Sequence, residues 1–476
     1  MKLGVGTSRT GKIPLLLPSL LLLSSLLWCE TIAYRNAPTK DVSEKLVAAI
    51  NDLGRSLGKQ LDSNGDDSTK AEIFSPVSIG TMMFLLLRIA NGSLRNELLA
   101  MLGLNGVEHI TKNFGHLLEE LTSDIASNGI LDELPGWHTK QSCYPPEYAD
   151  EYEDYIDESN LSEPVDPNII RIANGMFVQD GLIHNNTDMV ELARQLYKAR
   201  IARVDFRQQP ENARNSINQW VDSSTNGRIK EILPASLPRT TQLVLASALY
   251  FKASWETFFN DPQYTRNQPF FPDGEDKPAV DVPTMFTGGC FPYFASSEHD
   301  ASIMAFPYRN RTTSMYIILP NASNREKVRA LRAKLGAAEL DQLIGQMVRR
   351  KAMVVFPRMH VNSHYNLRDS LEQLGVKSLF DPTKRNFKIE QSPKVKGKPR
   401  DQDAVKKSPK LYVDSMVHQV DLEVNEHGTE GGAVTMAVMD RSAPPVTFRV
   451  RGPFLIAIRH DPTKMLLFYG AVYDPS

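Results

Sequence analysis

The chain has 476 residues, 41% of them hydrophobic and 23% charged, with a formal net charge of −2. Such a composition belongs to a soluble globular protein with a large core. Near-balanced charge argues against a protein built to bind nucleic acid.

In chain order, residues 1–33 read as a secretory signal peptide. Lys2, Arg9 and Lys12 precede the apolar run IPLLLPSLLLLSSLLWC, and Thr31-Ile32-Ala33 places small residues where a signal peptidase reads, so cleavage is expected after Ala33. The run is short for a membrane span and carries Pro18 and several serines, which disfavours an uncleaved anchor. No later segment reads as a span, and the mature protein is expected outside the cell.

Leu46, Ile50, Leu53, Leu57 and Leu61 then recur at helical spacing, with Asp41 and Glu44 near the start. FSPVSIGTMMFLLLRIANG follows as a strongly apolar helix that Ser75-Pro76 opens and Gly92 closes. GVEHITKNFGHLLEELTSDI is a further helix. Strands are expected at 169–178, within 241–255, and at 314–320, 352–357, 418–426 and 453–460. Early helices followed by many strands, without a βα rhythm, indicate an α+β fold.

Two stretches interrupt this pattern. Residues 126–168 lack periodicity; from Glu147 to Asp166 they hold nine acidic residues and no Lys or Arg, and Tyr144, Tyr148, Tyr152 and Tyr155 are interleaved along the stretch. Residues 394–410 carry seven basic residues, Lys394, Lys396, Lys398, Arg400, Lys406, Lys407 and Lys410, against two acidic ones. Both read as solvated loops. In the mature chain the cysteines are Cys143 and Cys290, open to one disulfide or two thiols. Glycosylation sequons stand at Asn91, Asn160, Asn185, Asn310 and Asn321. There is no HExxH, no phosphate-binding loop and no Cys/His cluster with metal-ligand spacing. His427 and Ser442 lie on one exposed stretch, which cannot hold a base, a nucleophile and an orienting carboxylate in place, so the chain is read as no enzyme and as needing no metal or cofactor.

NEHGTEGGAV (425–434), PFLIAIRH and LLFYGAVYDP resemble the serpin family. So do NGMFV (174–178), INQWVDSSTNGRIKEIL (217–233), LASALYFKASWETFF (245–259), FPYRNRTTSMYIILP, FPRMHV and LRDSLEQLGVKSLFD, in the family's order over nearly the whole mature chain. Ser247 stands where the family usually has Asn. The resemblance implies one domain over 34–476 with a large central mixed sheet, helices packed on it, and an exposed reactive-centre loop at 426–446. It makes 126–168 and 389–410 insertions.

The resemblance implies a single-use protease trap: a serine protease cuts the loop, is held as an acyl-enzyme, and the loop enters the main sheet as an extra strand. Strand alternation puts Thr429, Gly431, Ala433, Thr435 and Ala437 on the buried face, all small and uncharged, and no proline occurs from Thr429 to Arg441. The hinge is Glu426, Gly428, Thr429, Glu430, Gly431, Gly432 and Ala433. Gly431-Gly432 replace the alanines common in inhibitory members, and glycine weakens a strand by about 0.5–1 kcal/mol. Arg441-Ser442 suits a trypsin-like extracellular target, while the commonest hinge spacing points to Ser442-Ala443 and an elastase-like one. The basic 394–410 segment is a candidate surface for a sulfated glycosaminoglycan or another polyanion. Tyrosines among acids at 147–166 are candidate sulfation sites. A monomer is expected, with no membrane or nucleic-acid partner. The alternative is a non-inhibitory serpin acting as an extracellular carrier or binding protein.

Overall fold

The computed structural model describes residues 40–64, 68–105, 109–122, 134–138, 143, 169–182, 187–309, 311–384, 386–387, 411–429 and 446–476. Residues 1–39, which include the expected signal peptide, most of both expected insertions, and loop residues 430–445 lie outside the described residues.

The described helices are α1 (Lys40–Asn64), α2 (Pro76–Ile89), α3 (Gly92–Met101), α4 (Ile110–Thr122), α5 (Thr187–Tyr197), α6 (Pro210–Ser224), α7 (Arg325–Lys334), α8 (Ala337–Gly345) and α9 (Arg368–Gln373). The strands are β1 (Ala71–Phe74), β2 (Ile169–Gln179), β3 (Ala199–Val204), β4 (Leu243–Ser254), β5 (Arg266–Phe270), β6 (Val280–Ser296), β7 (Ala301–Pro307) and β8 (Thr313–Pro320). They continue as β9 (Val348–Pro357), β10 (Met359–Asn366), β11 (Ser415–Val424), β12 (Gly428–Thr429), β13 (Val446–Arg449), β14 (Phe454–His460) and β15 (Met465–Val472). One sheet of nine strands runs β1-β15-β14-β8-β7-β6-β9-β13 with β5 on β6. The other, of six, runs β10-β11-β4-β2-β3 with β12 on β4. The α+β expectation and the large mixed sheet hold.

Helix α2 lies between the two sheets, against β15 on one side and β2 and β4 on the other. Every residue of it except Arg88 is buried, as its all-round apolar sequence requires. Ser75 caps it by accepting from the Ser78 N–H, and Pro76 takes the first turn, where its missing N–H costs nothing. The expected stop at Gly92 is corrected: α2 ends at Ile89 because Ala90 turns extended, and Gly92 instead opens α3 at φ +53°. Helix α6 covers the outer face of the six-stranded sheet, where Trp220 meets Phe177 edge-on at 5.2 Å in a second core.

Cys143 and Cys290 are joined in a disulfide with Cα atoms 5.7 Å apart, so the two-thiol alternative falls. The acidic insertion is not solvated throughout either. Trp137 within it is 2% exposed, and the disulfide ties its residue 143 to β6. Among the described residues no helix is long and apolar enough to cross a membrane.

Candidate functional site at the hinge cleft

Strand β4, LVLASALYFKAS, is buried along almost its whole length and so carries apolar side chains on both faces. On one edge it pairs with β2 from Leu243 to Lys252. On the other it pairs parallel with β11, Val244–Leu249 against Ser415–Val420. Beyond Val420 the pairing with β4 stops, although β11 stays paired with β10 to Val424. The two central strands therefore part and leave a wedge.

The chain fills the mouth of that wedge itself. After β11 it turns at Asn425, whose side-chain Oδ1 accepts from the N–H groups of His427 and Gly428. Asn425 then bridges to Gly428, so β12 lies between the end of β11 and β4. Gly428 faces Ser254 and Thr429 faces Ala253, antiparallel to β4. At Gly428 a Cβ would sit 2.1 Å from the Ala253 carbonyl oxygen, so only glycine allows this approach. Thr429 is 1% exposed and shares a 2.8 Å hydrogen bond with the Tyr308 hydroxyl. Burial pushes the Tyr308 pKa far up, which keeps the phenol neutral.

Trp255, directly after β4, is the floor of the hinge. Its ring N–H donates to the Asn425 carbonyl at 2.9 Å and its backbone N–H to the His427 carbonyl at 3.1 Å. The Phe259 N–H donates to the Glu426 carbonyl at 3.0 Å. Tyr308 stacks on the Trp255 ring at 4.6 Å. Glu426 is 1% exposed; Thr265 donates to its carboxylate at 2.6 Å, and Arg358 stands 4.0 Å away.

Lower down, where β4 and β11 are still joined, a buried polar cluster crosses the seam. The Ser75 N–H donates to His418 Nε2 at 2.9 Å, which leaves the ring proton on Nδ1, 3.1 Å from both the carbonyl and the hydroxyl of Ser247. Ser78 Oγ reaches Ser247 Oγ at 2.9 Å and donates to Asn174 Oδ1 at 3.2 Å. Burial lowers the His418 pKa to about 3, so the imidazole is neutral.

Of the expected hinge residues, Glu426, Gly428 and Thr429 are described, and all three are buried. Glu430, Gly431, Gly432 and Ala433 lie outside the described residues, as do Arg441, Ser442, Ala443, the basic residues Lys394 to Lys410, and Asn160, Asn185 and Asn310. Within the expected loop 426–446, Glu426 and His427 form a turn, Gly428 and Thr429 pair with β4, and Val446 pairs with Ala352 of β9. Asn91 is exposed and caps α3 through Oδ1, and Asn321 is exposed with its amide on Asp300. Sequence reasoning missed Trp255, Tyr308, Thr265 and His418 as site residues. The departure at Ser247 was the one signal pointing to the seam cluster.

The family model of the serpins (serine protease inhibitors) matches residues 48–475. The chain is a serpin. Serine protease inhibitor 28Dc of Drosophila melanogaster is 31% identical over 450 residues, covering 91% of this chain and 80% of that protein. Antithrombin-III of Mus musculus is 29% identical over 364 residues, 75% of this chain and 70% of that one. Native protease nexin-1 with heparin superposes with a TM-score of 0.69 at 23% identity, over 91% of this chain and all of that one. Human thyroxine-binding globulin gives a TM-score of 0.70 at 19% identity with the same coverage. The chain is thus similar both to a relative named as a serine protease inhibitor and to one named for binding thyroxine.

Proposed function

We propose that this serpin is a secreted inhibitor that traps a trypsin-like serine protease. The observation that carries the reading is β12: the hinge already runs as an antiparallel strand in the mouth of the cleft between β4 and β11. Each further residue of the loop would retreat by one along β4. Ala433 would then face Leu249, the last β4 residue now paired with β11, and Met439 would face Leu243, where β4 begins. Asp440 and Arg441 would emerge beyond the end of the strand. The loop length to Arg441 therefore matches the full run of β4.

The chemistry follows from the bait. The protease serine oxygen attacks the Arg441 carbonyl carbon, the Arg441–Ser442 amide breaks, and the new amine of Ser442 leaves with a proton from the protease base. The ester to Arg441 remains. Insertion of the loop between β4 and β11 carries that ester, and the protease with it, to the far end of the sheet before water can reach it. The inserted strand gains hydrogen bonds on both edges, which drives the step. The leader at 1–33 supports secretion.

The test mixes the mature protein with trypsin and with an elastase, then weighs the C-terminal peptide. A denaturant-stable complex with trypsin and a peptide beginning at Ser442 are expected. An elastase-only complex with a peptide beginning at Ala443 would refute the Arg441 assignment. Cleavage without any complex would refute trapping and favour a carrier, the role in the name of thyroxine-binding globulin.

A further inference from the structure

The docked part of the acidic insertion is linked through Arg349 to Glu256, the residue that follows Trp255. A turn closes as the His138 N–H donates to the Pro135 carbonyl at 2.8 Å. It seats the Trp137 ring, stacked on His138 at 3.8 Å, against Tyr316 at 6.5 Å. His138 Nε2 reaches the buried Asp461 carboxylate at 3.2 Å, which Ser314 and Tyr316 also hold.

Arg349 of β9 joins this turn to the body. Its guanidinium lies 5.9 Å from the Trp137 ring and donates to the Trp137 carbonyl at 3.1 Å, to the Cys290 carbonyl at 3.2 Å, and to Glu256 at 2.9 Å. Cys290 is the residue bonded to Cys143. Glu256 is also held by Arg311 at 3.1 Å, from the turn between β7 and β8 that carries Tyr308. Arg349 and Glu256 are largely shielded from water, at 7% and 16% side-chain exposure, so the pair is screened less than a surface one.

Opening the cleft requires the upper end of β4 to move away from β11, and Trp255-Glu256 must travel with it. The clamp on Glu256 ties that end to the nine-stranded sheet. We propose that the docked turn Pro135–His138 and the Cys143–Cys290 disulfide form a brace that holds Arg349 on Glu256 and so restrains the hinge in the uncut protein. Trp137 and Arg349 are positioning residues in this scheme: they act through Glu256 and Trp255. The consequence for inhibition rests on the trapping reading above; the restraint itself does not.

The test compares wild type with Trp137→Ala, Trp137→Phe and the double variant Cys143→Ser with Cys290→Ser. Amide hydrogen exchange is read at Trp255, Phe259 and Asn425, whose N–H groups bond within the hinge, and at Leu467 in β15 as a remote reference. For Trp137→Ala and the double-serine protein, exchange at the three hinge amides is expected to rise roughly five- to tenfold, about the effect of 1 kcal/mol or slightly more, with Leu467 unchanged and Trp137→Phe near wild type. Loss of trypsin-trapping capacity in the uncut protein at 37 °C should accelerate in parallel. Unchanged hinge exchange, or a rise equal at Leu467, would overturn the brace. Should Trp137→Ala fail to fold, a dithiol added to folded wild type opens the disulfide and the same amides are read. A wild type that never traps trypsin would sink the inhibitory reading alone, because exchange needs no protease.

Discussion

On the trapping proposal, Thr429→Arg is expected to turn the protein from an inhibitor into a substrate. Thr429 is the second residue of β12, is 1% exposed, and points at Tyr308 over the Trp255 floor. An arginine there must bury its charge among aromatic rings or swing out and break the ladder to Ala253. Either way the barrier to strand entry rises by several kcal/mol, while the loop beyond remains cleavable. Insertion competes with hydrolysis of the ester, and each 1.4 kcal/mol or so slows it about tenfold. The number of serpin molecules consumed per trypsin should therefore rise by more than roughly tenfold, with the same peptide released. Titration of trypsin with the variant, followed by a denaturing gel, checks this. Thr429→Ser, which keeps the hydroxyl and the size, should behave as wild type. Equal trapping by the arginine variant would mean that β12 is not where insertion starts.

Acid weakens the seam between β4 and β11. His418 has a folded pKa of about 3 against an ordinary 6.5, chiefly because burial excludes the charged form. The unfolded chain thus takes up a proton that the folded one refuses, so this contribution is complete above pH 6.5 and is lost progressively as pH falls towards 3. Two units below 6.5 the loss is roughly 2–3 kcal/mol. Structurally, a protonated Nε2 could no longer accept from the Ser75 N–H. The expected result is a thermal midpoint that drops from pH 7 to pH 4.5 more steeply in wild type than in His418→Gln. His460, lowered to about 4 by burial, adds acid sensitivity to both proteins, so the difference isolates His418. Identical slopes would show that His418 is protonated in the fold.

Much of this was legible in particular residues. The strongly apolar run after Ser75-Pro76 was legible as a helix, and it is buried everywhere except at Arg88. The stop of α2 was not legible, because Ala90 turns extended without glycine or proline. The wedge was hidden for a different reason: it depends on where pairing between β4 and β11 ends, and no local pattern in either strand marks Leu249 or Val420 as the last pair. Trp255, Tyr308 and Glu426 are brought together from distant parts of the chain by sheet closure. The docking of Trp137 was obscured by its surroundings, since an acidic, aperiodic stretch reads as solvent-facing and one tryptophan creates no period. The pairing of Cys143 with Cys290, 147 residues apart, needed the fold to show proximity.

The most direct measurement is the crystal structure of the protein cut at its reactive bond. Residues 430–439 should form a strand between β4 and β11, antiparallel to both, continuing the register set by Gly428 and Thr429 so that Ala433 faces Leu249. A cut protein in which Ser415–Val420 remains paired with Val244–Leu249 would contradict the account.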